Sequence, residues 1–394
     1  MNSVYLNIII IVFLNTCLVA ISYSQGEDTK CTVSSLLTKL THQNNTSVKF
    51  TFNSKAINHP KYHLWDNWGF EEDGIIHVYS LAADKSLRAG ERHFSAHWRH
   101  FISKTNGQSW EDLGSVVRPS GKKRDFLGKS IWSGSVTKMK NGTYWAAITG
   151  VEEGSDVLQT ISIGISHDAH SFRLANPAKP LLDHRINRNR WKNLGYYISK
   201  VDDVGKLKGE PDNTIQALRD PFIFQASDGS AHIFWASKMV SESGRIKPAI
   251  GHLKISDLNK PDKFELQKAI SIPDDKSFTE LELPNVVEME NGKIAWVIST
   301  TNRKDQSQSI KDIIQDSRIY YSDSIGSPLR TEGKNIILEG QKSKLYGINF
   351  VQGSREGEEI KARAFYLDEI SGDKQLTLPS NFILNLEKKT ILND

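Results

Sequence analysis

Three carboxylates stand at the heads of apolar stretches: Asp66 in Leu64-Trp65-Asp66-Asn67-Trp68, Asp220 in Leu218-Arg219-Asp220-Pro221, and Glu282 in Glu280-Leu281-Glu282. A carboxylate at such a place is expensive to bury without a fixed cation, so it is either paired or functional. Taken singly, each is more often a turn or cap residue. Taken together, and beside Trp65, Trp68 and Trp132, they suggest a sugar site, where aromatic faces pack on the C–H surface of a ring. Glycoside cleavage needs one carboxylate as nucleophile or base and one protonated carboxyl as acid. A third can hold sugar hydroxyls and stabilise the charged transition state.

Other chemistries have less support. No Cys/His spacing suits zinc, and neither a Gly-rich phosphate loop nor a nucleophile elbow is present. His93, His97 and His100 cluster on what reads as an outer strand, a weak metal pattern. The sequence therefore implies no metal site and no cofactor. The formal net charge of only +4 gives no reason to expect a nucleic-acid partner.

The elements that must carry these acids form a repeating unit. An apolar run with a polar head, a Gly turn and a second apolar run occur around Asp73-Gly74, Asn141-Gly142, Asp228-Gly229 and Asn291-Gly292. These read as four equivalent β-hairpins whose heads meet at one place. The polar heads recur every ~65–90 residues, which suits four-stranded blades and hence an all-β β-propeller with a central active-site pocket. A two-sheet sandwich explains the strands equally well, but not the shared polar heads. The run from Lys179 to Asn213 breaks the rhythm with Arg185, Arg188, Arg190, Trp191, Tyr196 and Tyr197. It reads as a loop over the entrance that contacts a polar ligand, with a surface excursion as the open alternative. Helical periodicity is best over residues 33–43.

The chain has 394 residues, enough for one large all-β domain or two ordinary ones. Tyr5 to Ile21 is almost wholly apolar and Ser22-Tyr23-Ser24 offers small residues for cleavage, so residues 1–24 read as a secretory signal, with an uncleaved anchor as the alternative. Residues 25–59 form a lead and 60–394 a single catalytic propeller. Cys17 would leave with the signal and Cys31 would stand alone, so a large core replaces disulfides. The expected location is extracellular or periplasmic, with no stable membrane association after cleavage. Asn44, Asn45 and Asn141 begin glycosylation triplets, which are used only in a eukaryotic secretory pathway.

At these residues the chain resembles glycoside hydrolase family 68, the levansucrases and related β-fructofuranosidases, from about His63 to Tyr366, and the resemblance implies a five-bladed β-propeller. Trp65-Asp66-Asn67-Trp68 is similar to the family's nucleophile strand, Trp132-Ser133-Gly134-Ser135 to its Trp-Ser-Gly-Ser strand, Arg219-Asp220-Pro221 to its Arg-Asp-Pro motif, and Glu280-Leu281-Glu282 to its Glu-x-Glu strand. The resemblance implies that Asp66 is the nucleophile, Asp220 the transition-state stabiliser and Glu282 the acid/base. It implies sugar contacts from Trp65, Trp132, Ser133, Arg219 and Glu280, with Arg303 and Tyr346 assigned across gaps. Leu283 stands where many members carry Arg, and Thr279 where some carry a calcium-binding Asp, so calcium is not carried over. The chain also has little of the loop decoration that surrounds the acceptor site.

The expectation is a retaining enzyme with a sugar donor such as sucrose and water or a sugar hydroxyl as acceptor. Two alternatives stand beside it. One is another propeller glycosidase of the arabinanase, xylosidase or sialidase kind, the last prompted by the Asp-box-like turns Ser103–Trp110 and Ser166–Phe172. The other is a non-catalytic glycan-binding propeller.

Overall fold

Five antiparallel blades, the first and last joined in one nine-stranded sheet, make up the protein in a computed structural model that describes residues 51–52, 54–206, 216–273, 276–303, 308–367 and 376–393. The segments read as a signal and as a helix, and the triplets at Asn44 and Asn45, lie outside the described residues.

Strand β1 (Thr51–Phe52) borders blade 1, which consists of β2 (Tyr62–Glu72), β3 (Ile75–Asp84), β4 (His97–Ser103) and β5 (Trp110–Val117). Blade 2 is β6 (Ser130–Lys138), β7 (Tyr144–Val151), β8 (Gln159–Ser166) and β9 (Arg173–Leu174). Blade 3 is β10 (Arg219–Gln225), β11 (Ala231–Val240), β12 (Ile246–Ile255) and β13 (Glu265–Leu266), with β14 (Ile270–Ser271) also on β12. Blade 4 is β15 (Glu280–Glu288), β16 (Ile294–Thr301), β17 (Gln315–Ser322) and β18 (Ile336–Glu339). Blade 5 is β19 (Leu345–Gln352), β20 (Glu359–Tyr366), β21 (Phe382–Asn385) and β22 (Thr390–Asn393).

The first strands lie side by side in the order β2, β6, β10, β15, β19, and β19 returns to β2 through a short parallel pairing, Val351 with Gly69 and Gln352 with Phe70. Asn67 reinforces the closure by donating its side-chain amide to the Ala364 carbonyl at 3.1 Å. The fold is a five-bladed β-propeller. Four of its inner hairpins turn at the Asx-Gly pairs named above; at Asp73-Gly74 both residues have positive φ (50° and 74°), which suits the twist of a two-residue hairpin. The fifth inner hairpin, β19–β20, turns through Gly353 to Glu358 without an Asx-Gly pair, so the sequence pattern shows only four of the five.

Apolar packing fills the seams between blades. Trp145 of blade 2 packs with Ile223 and Trp235 of blade 3, Phe234 of blade 3 with Trp296 of blade 4, and Ile319 of blade 4 with Phe350 of blade 5. Such clusters repeat around the ring, as expected when each blade buries both faces. Gly251 is required where it stands, since a Cβ there would lie 1.9 Å from Trp235.

Two expectations need correction. The segment after Lys179 is neither a ligand-contacting lid nor a surface excursion in its aromatic part. Trp191 and Tyr196 are buried in the seam between blades 2 and 3 against Trp235, and Tyr196 accepts from the His252 amide. Arg185 pairs with Asp183 and Glu152, and Arg188 bonds the carbonyls of His184 and Ser199. Trp68 likewise belongs to the core, edge-on to Trp98 at 4.5 Å, rather than to a sugar site. The Asp-box-like turns join third to fourth strands in blades 1 and 2, where Ser103 and Asp168 accept backbone amides.

Candidate active site

Every inner strand breaks register near its head. The shifts fall at Trp65/Asn67, Trp132/Gly134, Arg219/Phe222, Glu282/Asn285 and Tyr346/Asn349. A bulge inserts residues without a cross-strand partner and re-aims their side chains. Here the skipped residues include Asp66, Ser133, Asp220 and Leu283. Asp66, Asp220 and Leu283 hold φ values of 31°, 57° and 51°. Non-glycine residues in that region carry strain of about 1–3 kcal/mol each. Pro221 and Pro284 occupy bulge positions, the place in a sheet where a missing N–H is tolerated.

The five bulges bring the candidate residues together. Ser133 on β6 donates its hydroxyl to Oδ2 of Asp66 on β2. The Asp220 amide donates to Thr149 Oγ1 at 2.9 Å, and Asp220 Oδ2 accepts from the Leu283 amide at 3.3 Å. Tyr346 on β19 donates its phenol to Glu282 Oε2 at 2.9 Å. Arg219 is shared: one guanidinium nitrogen lies 3.0 Å from Glu280 Oε2 and 3.5 Å from Glu282 Oε1, and Nε lies 3.7 Å from Asp220. Glu280 in turn accepts from the buried Lys238.

Four acids thus face two buried cations, and the surplus shows in the titration behaviour. Burial, then repulsion from Asp220, raises the Asp66 carboxyl well above the ordinary carboxylate range, against the opposing hydrogen bond from Ser133. Burial also raises Asp220, with Arg219 opposing and Glu282 reinforcing the rise. Burial and the neighbouring Glu282 keep the Tyr346 phenol protonated.

Aromatic groups gather around His93. The Trp65 ring is edge-on to His93 at 5.6 Å, and Trp132 donates its indole N–H to the His93 carbonyl at 2.6 Å. Arg303 lies within electrostatic reach of His93, and its carbonyl accepts from Thr279 Oγ1 at 2.6 Å. Thr279, where the resembled family has an acid in some members, here anchors the Arg303 backbone.

Sequence reasoning missed three residues. His93 packs on Trp65 and Trp132, whereas His97 packs on Tyr62 and His100 stacks between His77 and His170, so these histidines do not form one cluster. Among the described residues no group of His, Cys, Asp or Glu is arranged to hold a metal ion. Thr149 ties blades 2 and 3 at the site by donating to the Ser133 carbonyl and accepting from Asp220. Lys238 is the third, and its signal was a lysine inside the apolar run Ala231–Val240.

The model of the "Glycosyl hydrolases family 32 N-terminal domain" matches residues 72–327, more than half of the chain. No curated protein matches by sequence. Among solved structures, Bacillus subtilis levansucrase superposes with a TM-score of 0.58 at 17% identity, over 85% of this chain and 87% of that one. The inulosucrase from Halalkalicoccus jeotgali, bound to kestose, gives 0.59 at 18% identity, over 87% and 89%. A mutant of B. megaterium levansucrase gives 0.59 at 14% identity, over 91% and 94%. At these identities the structural likeness is one of fold.

Proposed function

The chain belongs to the glycosyl hydrolase family 32 N-terminal domain family, and from that premise we propose that it is a retaining β-fructofuranosidase or fructosyltransferase acting on sucrose or a related fructoside. The observation that carries the reading is the convergence of Asp66, Asp220 and Glu282 from three blades, each oriented by a donor from a neighbouring blade. The levansucrase-type, family 68 assignment is supported by the four motifs in order and by the likeness of fold to levansucrases and an inulosucrase, one of them bound to kestose.

Asp66 attacks C2 of the fructosyl unit while Glu282 gives its proton to the leaving glycosyl oxygen. The fructosyl–Asp66 ester is then opened by water or by a sugar hydroxyl, with Glu282 taking the acceptor's proton back. Ser133 holds the attacking carboxylate on its line, and Tyr346 and Arg219 steady the Glu282 carboxylate once its proton has left. The surplus of negative charge is the electrostatic contribution. It is costly in the free site, as the raised Asp66 and Asp220 carboxyls record, and is answered when positive charge develops on the fructosyl ring. Trp65 and Trp132 wall the donor, and Arg303 and His93 border the leaving-group side.

The apolar N-terminal stretch supports export, which N-terminal sequencing of the protein recovered from the medium would test. Activity is tested by incubating the protein with sucrose and following glucose and fructose separately. Equal release means hydrolysis, and glucose in excess means transfer to sugar. Release of neither from sucrose, kestose or inulin would overturn the reading.

A further inference from the structure

We propose that Lys238 is a positioning residue: by occupying one oxygen of Glu280 it leaves the Arg219 guanidinium to be shared with Glu282 and Asp220. The inference rests on the reading above, in which those two acids serve the reaction.

Lys238 lies on β11, the second strand of blade 3, with its side chain 1% exposed. A buried ammonium is costly, and an apolar residue of similar volume is often the more stable choice, so a charge kept here calls for a role beyond stability. Its ammonium bonds Glu280 Oε1, while Arg219 takes Glu280 Oε2. A carboxylate with both oxygens free tends to take a guanidinium in a two-pronged pair. With Oε1 occupied, Arg219 meets Glu280 through Nη2 only, and the same Nη2 lies 3.5 Å from Glu282 Oε1 while Nε lies 3.7 Å from Asp220 Oδ2. The Lys238 ammonium bonds Glu280 from β15, whose other partner, Arg219 from β10, also faces Glu282 from β15 and Asp220 from β10, and the Lys238 carbonyl accepts from the Tyr197 amide.

Removing the lysine has two effects of the same sign. The site loses one positive charge, and Arg219 is drawn onto Glu280, away from Asp220. Both make ionised Asp220 less favourable. Removing Glu280 does the reverse, because Arg219 is released toward Asp220 and Lys238 is left as an uncompensated cation.

The test is a carbon-13 NMR titration of aspartate side-chain carboxyls, with Asp220 assigned through Asp220→Asn. It needs no substrate, so its result stands whether or not sucrose is turned over. Lys238→Met should raise the Asp220 midpoint by about half a pH unit or more, and Lys238→Arg should hold it near the wild-type value. Glu280→Gln should lower the midpoint, and Lys238→Met added to it should bring the midpoint back up. This second comparison leaves no unpaired buried acid at position 280 and remains available if Lys238→Met alone does not fold. An Asp220 midpoint that Lys238→Met leaves in place, in either background, would overturn the proposal and reduce the lysine to a structural ion pair. With sucrose as probe, Lys238→Met should lower kcat about tenfold or more with little change in KM, and Lys238→Arg should restore most of it.

Discussion

The phenol of Tyr346 donates to Glu282 Oε2 at 2.9 Å, from the first strand of blade 5 to the first strand of blade 4. Because burial and Glu282 hold the phenol protonated, the donor is present at any working pH. Tyr346→Phe keeps the ring against Phe365 and removes only the donor. A hydrogen bond to a charged group contributes about 1.5–3 kcal/mol, so kcat on sucrose should fall roughly tenfold to a hundredfold. Turnover within twofold of wild type would show that the donor is not used.

Asp66→Asn should abolish nearly all turnover, by at least about a thousandfold, and Asp220→Asn should come close to it. Both variants should also unfold at higher temperature than wild type at pH 7. Each removes a carboxylate from a buried, acid-rich site while an amide oxygen can still accept from Ser133 or from the Leu283 amide. Relief of such functional strain is commonly worth about 0.5–2 kcal/mol. Thermal unfolding of the three proteins side by side checks this, and a lower midpoint for both variants would contradict the electrostatic account of the site.

Glu282→Gln should depend on the leaving group. Loss should be large on sucrose, where a sugar alkoxide needs a proton, and much smaller on a fructoside with an acidic phenol. Equal losses on the two substrates would argue that Glu282 does not act as the acid.

Stability should fall as pH drops from about 6.5 toward 4. Seven buried or half-buried histidines are held low chiefly by that burial: His77 and His232 at about 4, His97, His184 and His252 at about 3, with His100 and His170 also lowered. Between those values and the unfolded one the unfolded chain binds more protons, so acid favours unfolding, by up to about 1.4 kcal/mol per pH unit for each group. Asp66 and Asp220 work in the opposite sense, since their raised carboxyls gain stability as pH falls, but they are two groups against seven. Urea midpoints at pH 7 and pH 5 measure the balance, and a flat or rising midpoint toward pH 5 would show that the histidines do not dominate.

Much of this was legible in the chain itself. Alternating apolar runs and Asx-Gly turns specify hairpins through local backbone chemistry, which is why four inner strands and their polar heads could be read directly. The fifth was hidden because its turn from Gly353 uses no such pair, and Tyr346 could be placed only across a gap. What the linear chain leaves open is set by the closed ring. Bulges with positive φ at Asp66, Asp220 and Leu283 depend on neighbouring blades to hold them. Those blades also give Ser133 to Asp66, Tyr346 to Glu282 and Lys238 to Glu280. Seam packing claimed Trp68, Trp191 and Tyr196, which have the same composition as ligand-binding aromatics and differ only in what surrounds them. Residue type and short-range spacing fixed which groups could do chemistry. Long-range packing decided which groups meet, because a carboxylate's role follows from the donors and charges that other blades bring beside it.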